Sequence, residues 1–351
     1  MRGIPPFPAR VLAAVAQKGG PVVVGLDPRP ELLPPDLMNW GRRQSDDPRQ
    51  AAARAVAAFN RLIIDAVHDI AVAVKPQLAF FEQLGWPGLQ ALEETIAYAR
   101  EQGLLVIVDG KRNDIGSTAA AYARAYLGGP GPEPAPVAAA PAGAGGQAGG
   151  WQGCPSGLEA DALTVNPYLG SDSMAPFLEA CRKGGKGVFV LVRTSNPSGA
   201  ELQDLPVDPG PGTSPGHGDP PVTLAQRVAQ LVVQWNQGMP RADGYGPVGA
   251  VVGATGPEEL ARLRRQMPGV LLLVPGYGAQ GAGAREAAAA FAADGRGALV
   301  NSARDILYAW RRERPGEPGT AEDYAAAARR AALRMRDELQ AVLGPSRQDQ
   351  D

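Results

Sequence analysis

The chain has 351 residues, 44% apolar and 20% charged, the make-up of a globular protein long enough to bury a full core. Lys plus Arg total 34 against 36 Asp plus Glu, a formal net charge of −2, so the bulk balance favours neither nucleic acid nor an anionic membrane, although a small anion needs only a local site. Two cysteines (Cys154, Cys181) make no disulfide framework or Cys-rich metal site, and two histidines (His68, His217) argue against Ser-His-Asp or Cys-His catalysis and a His-rich metal centre. Acid–base chemistry is thereby left to Lys, Asp and Glu, and the sparse cysteine predicts an intracellular, cytoplasmic protein.

The first element is a short apolar run, VLAAVA (11–16), with prolines ahead of it. It is too short for a signal-peptide core and predicts an amphipathic opening helix. No apolar stretch approaches the roughly 20 residues that span a bilayer. Eight strand candidates follow: PVVVGLD (21–27), AVAVKPQ (71–77), LLVIVDGK (104–111), ALTVNPY (162–168), GVFVLVRTS (187–195), VGAVVGAT (248–255), VLLLVPG (270–276) and GALVNSA (297–303). Most are near-continuous apolar runs, as expected of parallel strands buried on both faces. Helical periodicity predicts helices between them at 49–69, 88–102, 115–127, 172–183, 222–237, 257–267 and 284–293, with a long Ala/Arg-rich helix at 320–343. Eight strands each followed by a helix predict one α/β domain over 1–351, a (β/α)8 TIM barrel. An open doubly wound sheet is the alternative, weakened by the absence of a G-x-G-x-x-G turn after the first strand.

Two segments interrupt the alternation. Residues 128–157 are rich in Pro, Gly and Ala and predict a disordered insertion between the third helix and the fourth strand. Residues 196–221 form a long loop at the catalytic end, a lid in its first residues and a tolerated insertion thereafter. A disordered tail is expected at 344–351.

Polar residues gather at the C-terminal ends of the strand candidates: Asp27, Lys75, Asp109, Lys111, Asn166 and Ser195. That rim carries the active site in a barrel. In VDGKRNDIGST, Asp109 and Lys111 are two apart, so alternation puts both on one face, with Asp114 where the next helix starts. The same residues also read as a structural ion pair and an N-cap. Two lysines and three carboxylates on one rim tilt the balance toward function. After the last two strands, VPGYGAQG and NSARDI suggest a phosphate site: glycines at 276, 278 and 281 allow close backbone approach, and Arg304 adds charge-assisted bonds. Here too the glycines could simply turn the chain, with Arg304 paired to Asp305.

The ordered pieces VGLDP, AVKPQLAFFE, VDGKRNDIGSTA, ALTVNPYLGSDS, VLVRTSNPSG, VPGYGAQG and VNSARDILYA resemble orotidine 5′-phosphate decarboxylase, of the subgroup often called type 2, over roughly residues 20–310. The resemblance implies a (β/α)8 barrel that needs no cofactor and no metal, and a homodimer with shared sites. It implies an alternating array of Lys75, Asp109, Lys111 and Asp114, the last contributed across the dimer with Thr118. It further implies that Asp27 and Lys75 meet the ribose, Ser195 the pyrimidine edge, and Gln280 and Arg304 the phosphate. Asn166 is a weaker candidate for the same pocket, and Tyr277 reads equally well as a packing aromatic. Lys111 would face a C6 carbanion and then protonate it, its ammonium favoured by flanking carboxylates. The expected partners are a small nucleotide and a second copy of the chain, not nucleic acid or membrane. A Mg2+-dependent sugar-phosphate enzyme of the same superfamily shares D-x-K-x-x-D, but RTSNPSG and VNPYLG favour the nucleotide enzyme. A non-catalytic phosphometabolite binder has no need for the charged array.

Overall fold

A computed structural model describes residues 4–128, 156–208, 221–254, 256–278, 281–313, 315 and 319–344. The eight expected strands all form: β1 (Val22–Leu26), β2 (Ala73–Pro76), β3 (Leu105–Arg112), β4 (Ala162–Val165), β5 (Gly187–Arg193), β6 (Gly246–Val252), β7 (Val270–Val274) and β8 (Ala298–Ser302). They are parallel and close into a barrel in sequence order, β8 pairing back to β1 with Val23 opposite Asn301. The open-sheet alternative is thereby excluded. The expected insertion at 128–157 and tail at 344–351 fall almost wholly outside the described residues, as does His217.

Alternation along each strand sorts side chains into two layers. Outward residues such as Val22, Val24, Val106, Val108, Leu163, Val188, Val190, Leu272 and Val300 join the helices in the larger core. Inward residues Val23, Ala73, Ile107, Ala162, Phe189, Val251, Leu271, Leu273 and Leu299 fill the barrel as a second core. Filling both faces is why the strands read as continuous apolar runs.

The opening helix, Phe7–Lys18, caps the N-terminal end of the barrel. Its Phe7 and Val11 are buried in the inner core, and the Phe7 ring meets Phe189 edge-on, centroids 5.9 Å apart. Arg10 pairs with Asp161 and also donates to Gly185 O at 2.9 Å. Asp161 in turn accepts from Val106 N–H at 2.9 Å, tying the helix to β3. A helix not expected from the sequence forms at Pro35–Gln44, with Pro at its first position and Asp36 in its first turn. Its Leu37 and Met38 pack against the larger core, but only Gly41 is fully buried and the segment as a whole is polar, opening on two prolines and carrying two arginines in its last turn.

Close packing of this plug explains Gly187. A Cβ there would lie 2.2 Å from the Phe7 ring. Gly187→Ala should therefore destabilise the fold by about 1–3 kcal/mol through overpacking. The measurement is urea unfolding, with a lower midpoint at unchanged slope; an unchanged midpoint would show that Phe7 does not hold this position.

Candidate active site

The inner core stops short of the C-terminal rim, leaving a cavity of about 290 Å³. Its lining includes Asp27, Lys75, Asp109, Lys111, Ser195 and Arg304, six residues expected from the sequence, brought from five strand ends and loops into one space. The wall is divided. Leu191, Val251 and Leu273 within β5–β7 form an apolar side, while β1–β4, β8 and the turn after β5 (Thr194, Ser195, Asn196) supply polar groups.

Asp109 is the hub of the polar side. It is 8% exposed. Its Oδ2 accepts from Lys75 Nζ at 2.7 Å and Gln77 Nε2 at 3.0 Å. Its Oδ1 accepts from Lys111 Nζ at 2.7 Å and Thr164 Oγ at 2.8 Å. Burial opposes its ionisation, but the two ammonium groups outweigh burial and hold the carboxyl well below the usual range. Burial likewise opposes the charge on Lys75, and Asp109 followed by Asp27 more than restores it, raising the ammonium above its ordinary pKa. Lys111 differs from Lys75 in being half exposed toward the opening, its side chain at 45%.

Simple pleating does not place Lys111. The β3–β4 register shifts between Val108 and Arg112, and Lys111 takes a left-handed φ of +47°. Such a conformation costs an ordinary residue roughly 1–2 kcal/mol. Thr164 holds it there, its hydroxyl accepting from Lys111 N–H at 2.9 Å while donating to Asp109. Gln77 and Thr164 were not singled out from the sequence. Both sit two residues beyond inward positions, Lys75 and Ala162, so the period of two was the available signal.

Asp27 enters from the end of β1. Its Oδ1 is buried without a hydrogen-bond partner. Burial pushes its carboxyl up, Lys75 pulls it down, and Asp109 adds repulsion. Asp114 and Thr118 do not line this cavity. The Asp114 carboxylate accepts from Ile115 N–H at 2.8 Å, and the following helix, Gly116–Leu127, has Ile115 at its cap with no side-chain bond. The N-cap reading of Asp114 therefore fails. Asn166 also lies outside the cavity; its Oδ1 accepts from Tyr168 N–H at 3.0 Å, a turn contact.

At the opposite rim, Gly276, Tyr277, Ala303 and Arg304 line the cavity. Arg304 is exposed and makes no ion pair among the described residues, because Asp305 pairs with Arg312 instead. Asp305 lies against Gly278 (φ +76°), where a Cβ would sit 1.5 Å from its carboxylate, so the loops after β7 and β8 interlock. The N–H groups of Gly278 and Gly281 bond to Ala282 O and Gly278 O, both at 2.8 Å, and are thus used by the turn itself rather than left for an anion. Tyr277 donates its hydroxyl to Glu338 of the helix Ala321–Leu343, a tethering role. Gln280 lies outside the described residues. Beyond Ser195, the lid candidate begins as short turns at Pro197–Gly199 and Ala200–Gln203. Arg193 binds Asp204 at 3.1 Å and Gln203 at 3.1 Å, fastening this stretch to the end of β5.

A profile described as Orotidine 5'-phosphate decarboxylase / HUMPS family matches residues 20–130 and 154–211. A Rhodopirellula baltica protein named orotidine 5′-phosphate decarboxylase is 46% identical over 333 residues, covering 95% of this chain and 98% of its own length. A Deinococcus radiodurans protein of the same name is 43% identical over 302 residues, covering 85% and 91%. The solved Leishmania donovani OMP decarboxylase superposes with a TM-score of 0.66 at 30% identity, covering 96% of this chain and 99% of that one.

The Asp27 result has a thermodynamic sign. A carboxyl whose folded pKa is raised binds its proton more tightly when folded, so ionising it costs stability. That cost is absent below the unfolded value, near 3.8, and fully present above the folded one. Free Asp27→Asn protein should melt about 2–4 °C higher than wild type at pH 7, with the gap closing at acidic pH. A lower melting temperature at pH 7 would contradict the burial account.

Proposed function

The chain belongs to the orotidine 5′-phosphate decarboxylase family, and from that premise we propose that it converts orotidine 5′-monophosphate to uridine 5′-monophosphate in pyrimidine nucleotide biosynthesis. The observation that carries this reading is the Lys75–Asp109–Lys111 array, its first two members buried, in the wall of a cavity whose far rim bears an Arg304 with no ion pair among the described residues. A nucleotide with a carboxylated ring has the complementary parts. Arg304 suits the phosphate, Asp27 and Lys75 the ribose, and Ser195 the pyrimidine edge. The chain's own ordered motifs, from VGLDP to VNSARDILYA, are what support the type 2 subgroup. The buried free thiol of Cys181 fits a reducing cytoplasm.

In the proposed step the bond between C6 and the substrate carboxylate breaks. CO2 leaves, the electron pair stays on C6, and Lys111 gives C6 a proton. Lys111 is the ammonium for this task because its side chain is the more open of the two, 45% exposed against 6% for Lys75 on the same cavity wall. The ammonium stabilises the developing carbanion before it donates. Asp109 fixes the Lys111 Nζ position through the 2.7 Å bond, and Thr164 fixes its backbone. Leu191, Val251 and Leu273 keep one side of the ring dry, which strengthens every charge interaction opposite. Lys111→Ala should lower kcat by at least about 10⁴-fold, the upper range for a lost acid, with uridine monophosphate binding nearly intact. Absorbance loss of orotidine monophosphate follows this directly, and near-normal turnover would sink the assignment.

The same proposal includes a homodimer with shared sites. Asp114 and Thr118 do not line their own cavity, and exposed apolar side chains stand next to Asp114 and on the loop after β4: Ile115 is 58% exposed, Tyr168 79% and Leu169 46%. A second copy would cover these and bring its Asp114 beside Lys111. Mixing inactive Lys111→Ala and Asp114→Ala proteins should restore roughly a quarter of wild-type activity, since random pairing makes half the dimers mixed and each holds one intact site. No recovery after subunit exchange, or full activity in a strictly monomeric protein, would contradict sharing.

A further inference from the structure

We propose that Asn301 is a further substrate-binding residue, whose carboxamide oxygen accepts a hydrogen bond from a ribose hydroxyl. The proposal rests on the nucleotide reading above. Among the described residues, two buried side-chain oxygens in the cavity wall lack any hydrogen-bond partner: Asp27 Oδ1 and Asn301 Oδ1. They come from adjacent strands, since β1 pairs with β8. Asn301 is 7% exposed, and an acceptor so buried and unpaired carries a desolvation cost that a donor in the cavity would relieve.

The position limits which donor that is. The Asn301 oxygen lies over Gly25, 3.2 Å from where a Cβ would be, and Gly25 is registered beside Lys75. A Cβ at residue 25 would clash first with Ala303, 2.6 Å away, and would also crowd this oxygen. Asn301 thus stands between the Asp27–Lys75 corner and Arg304, three residues further along the same strand end. The phosphate at Arg304 is acceptor-only and cannot satisfy a carbonyl oxygen. The ring edge at Ser195 belongs to the end of β5, across the barrel from β1 and β8. Between the two lies the sugar, whose vicinal hydroxyls are two O–H donors for two waiting acceptors.

The test is calorimetric titration of uridine monophosphate and its 2′-deoxy and 3′-deoxy forms against wild type and Asn301→Ala. Wild type should prefer the ribonucleotide over each deoxy form by roughly tenfold or more, as for a site built around a hydroxyl. In Asn301→Ala that preference should collapse at least about fivefold for one of the two hydroxyls. A purely structural role would weaken all three ligands alike, leaving both preferences unchanged, and would overturn the proposal. If the alanine variant does not fold, Asn301→Leu keeps the volume without the acceptor and gives the same readout. Wild-type turnover of orotidine monophosphate is measured alongside. Its absence, with intact hydroxyl preferences, sinks the decarboxylase reading alone; its presence with unchanged preferences in the variant sinks only the role of Asn301.

Discussion

One carboxylate has to stay charged inside the barrel, and the rest of the site is arranged around that demand. Ionised Asp109 at 8% exposure would be prohibitively costly alone. It is tolerated because four side-chain donors, from Lys75, Gln77, Lys111 and Thr164, saturate its two oxygens. Attraction in such a setting offsets desolvation only when the geometry is this complete, and removing one partner of a buried pair commonly costs about 3–5 kcal/mol. The strained backbone at Lys111 belongs to the same arrangement. The left-handed turn lets an ammonium two residues from Asp109 double back onto it while still facing the opening. Thr164, on the neighbouring strand, is bonded to both the carboxylate and the strained peptide, so the charge and the strain are held by one hydroxyl.

The two ends of the barrel divide the labour. At the N-terminal end, Phe7, Arg10 and Asp161 lock the opening helix into the inner core. At the C-terminal end the polar groups are left partly unsatisfied, as with Asp27 and Asn301. A ligand-binding end keeps groups whose partners arrive with the ligand, and the fold can carry that cost because the other end is fully packed. The tether from Tyr277 to Glu338 and the interlock of Asp305 with Gly278 extend the packed region up to the rim that carries Arg304.

The architecture was legible because parallel strands buried on both faces write themselves as apolar runs, and eight such runs stood clear. The gathering of Asp27, Lys75, Asp109, Lys111, Ser195 and Arg304 followed from one rule, that strand ends meet at one rim. What escaped was uncharged. Gln77, Thr164 and Asn301 are ordinary polar residues whose importance comes from pointing inward, and a search for charge passes over them. The bulge at Asp109-Gly110-Lys111 was hidden for a different reason: it depends on how β3 meets β4, a non-local pairing that neither strand's own sequence states. Asn166 misled because a polar residue at a strand end can bond its own turn as easily as it can face the cavity. The 35–44 helix was passed over because its few apolar residues, Leu37, Met38 and Trp40, stand in a polar stretch that opens on two prolines.

The plug at the N-terminal end has one further consequence. Among the described residues, Phe7 and Val11 close the bottom and Phe189 fills the middle, which leaves the C-terminal rim as the door of the vessel. Whatever enters leaves by the same route, past the same Arg304. A small neutral gas can slip out beside a bound nucleotide, but the nucleotide product cannot be pushed through from behind. Traffic is therefore strictly exchange at one threshold: occupant and newcomer exclude each other, and turnover depends on how readily the rim lets go as well as on how fast the floor reacts.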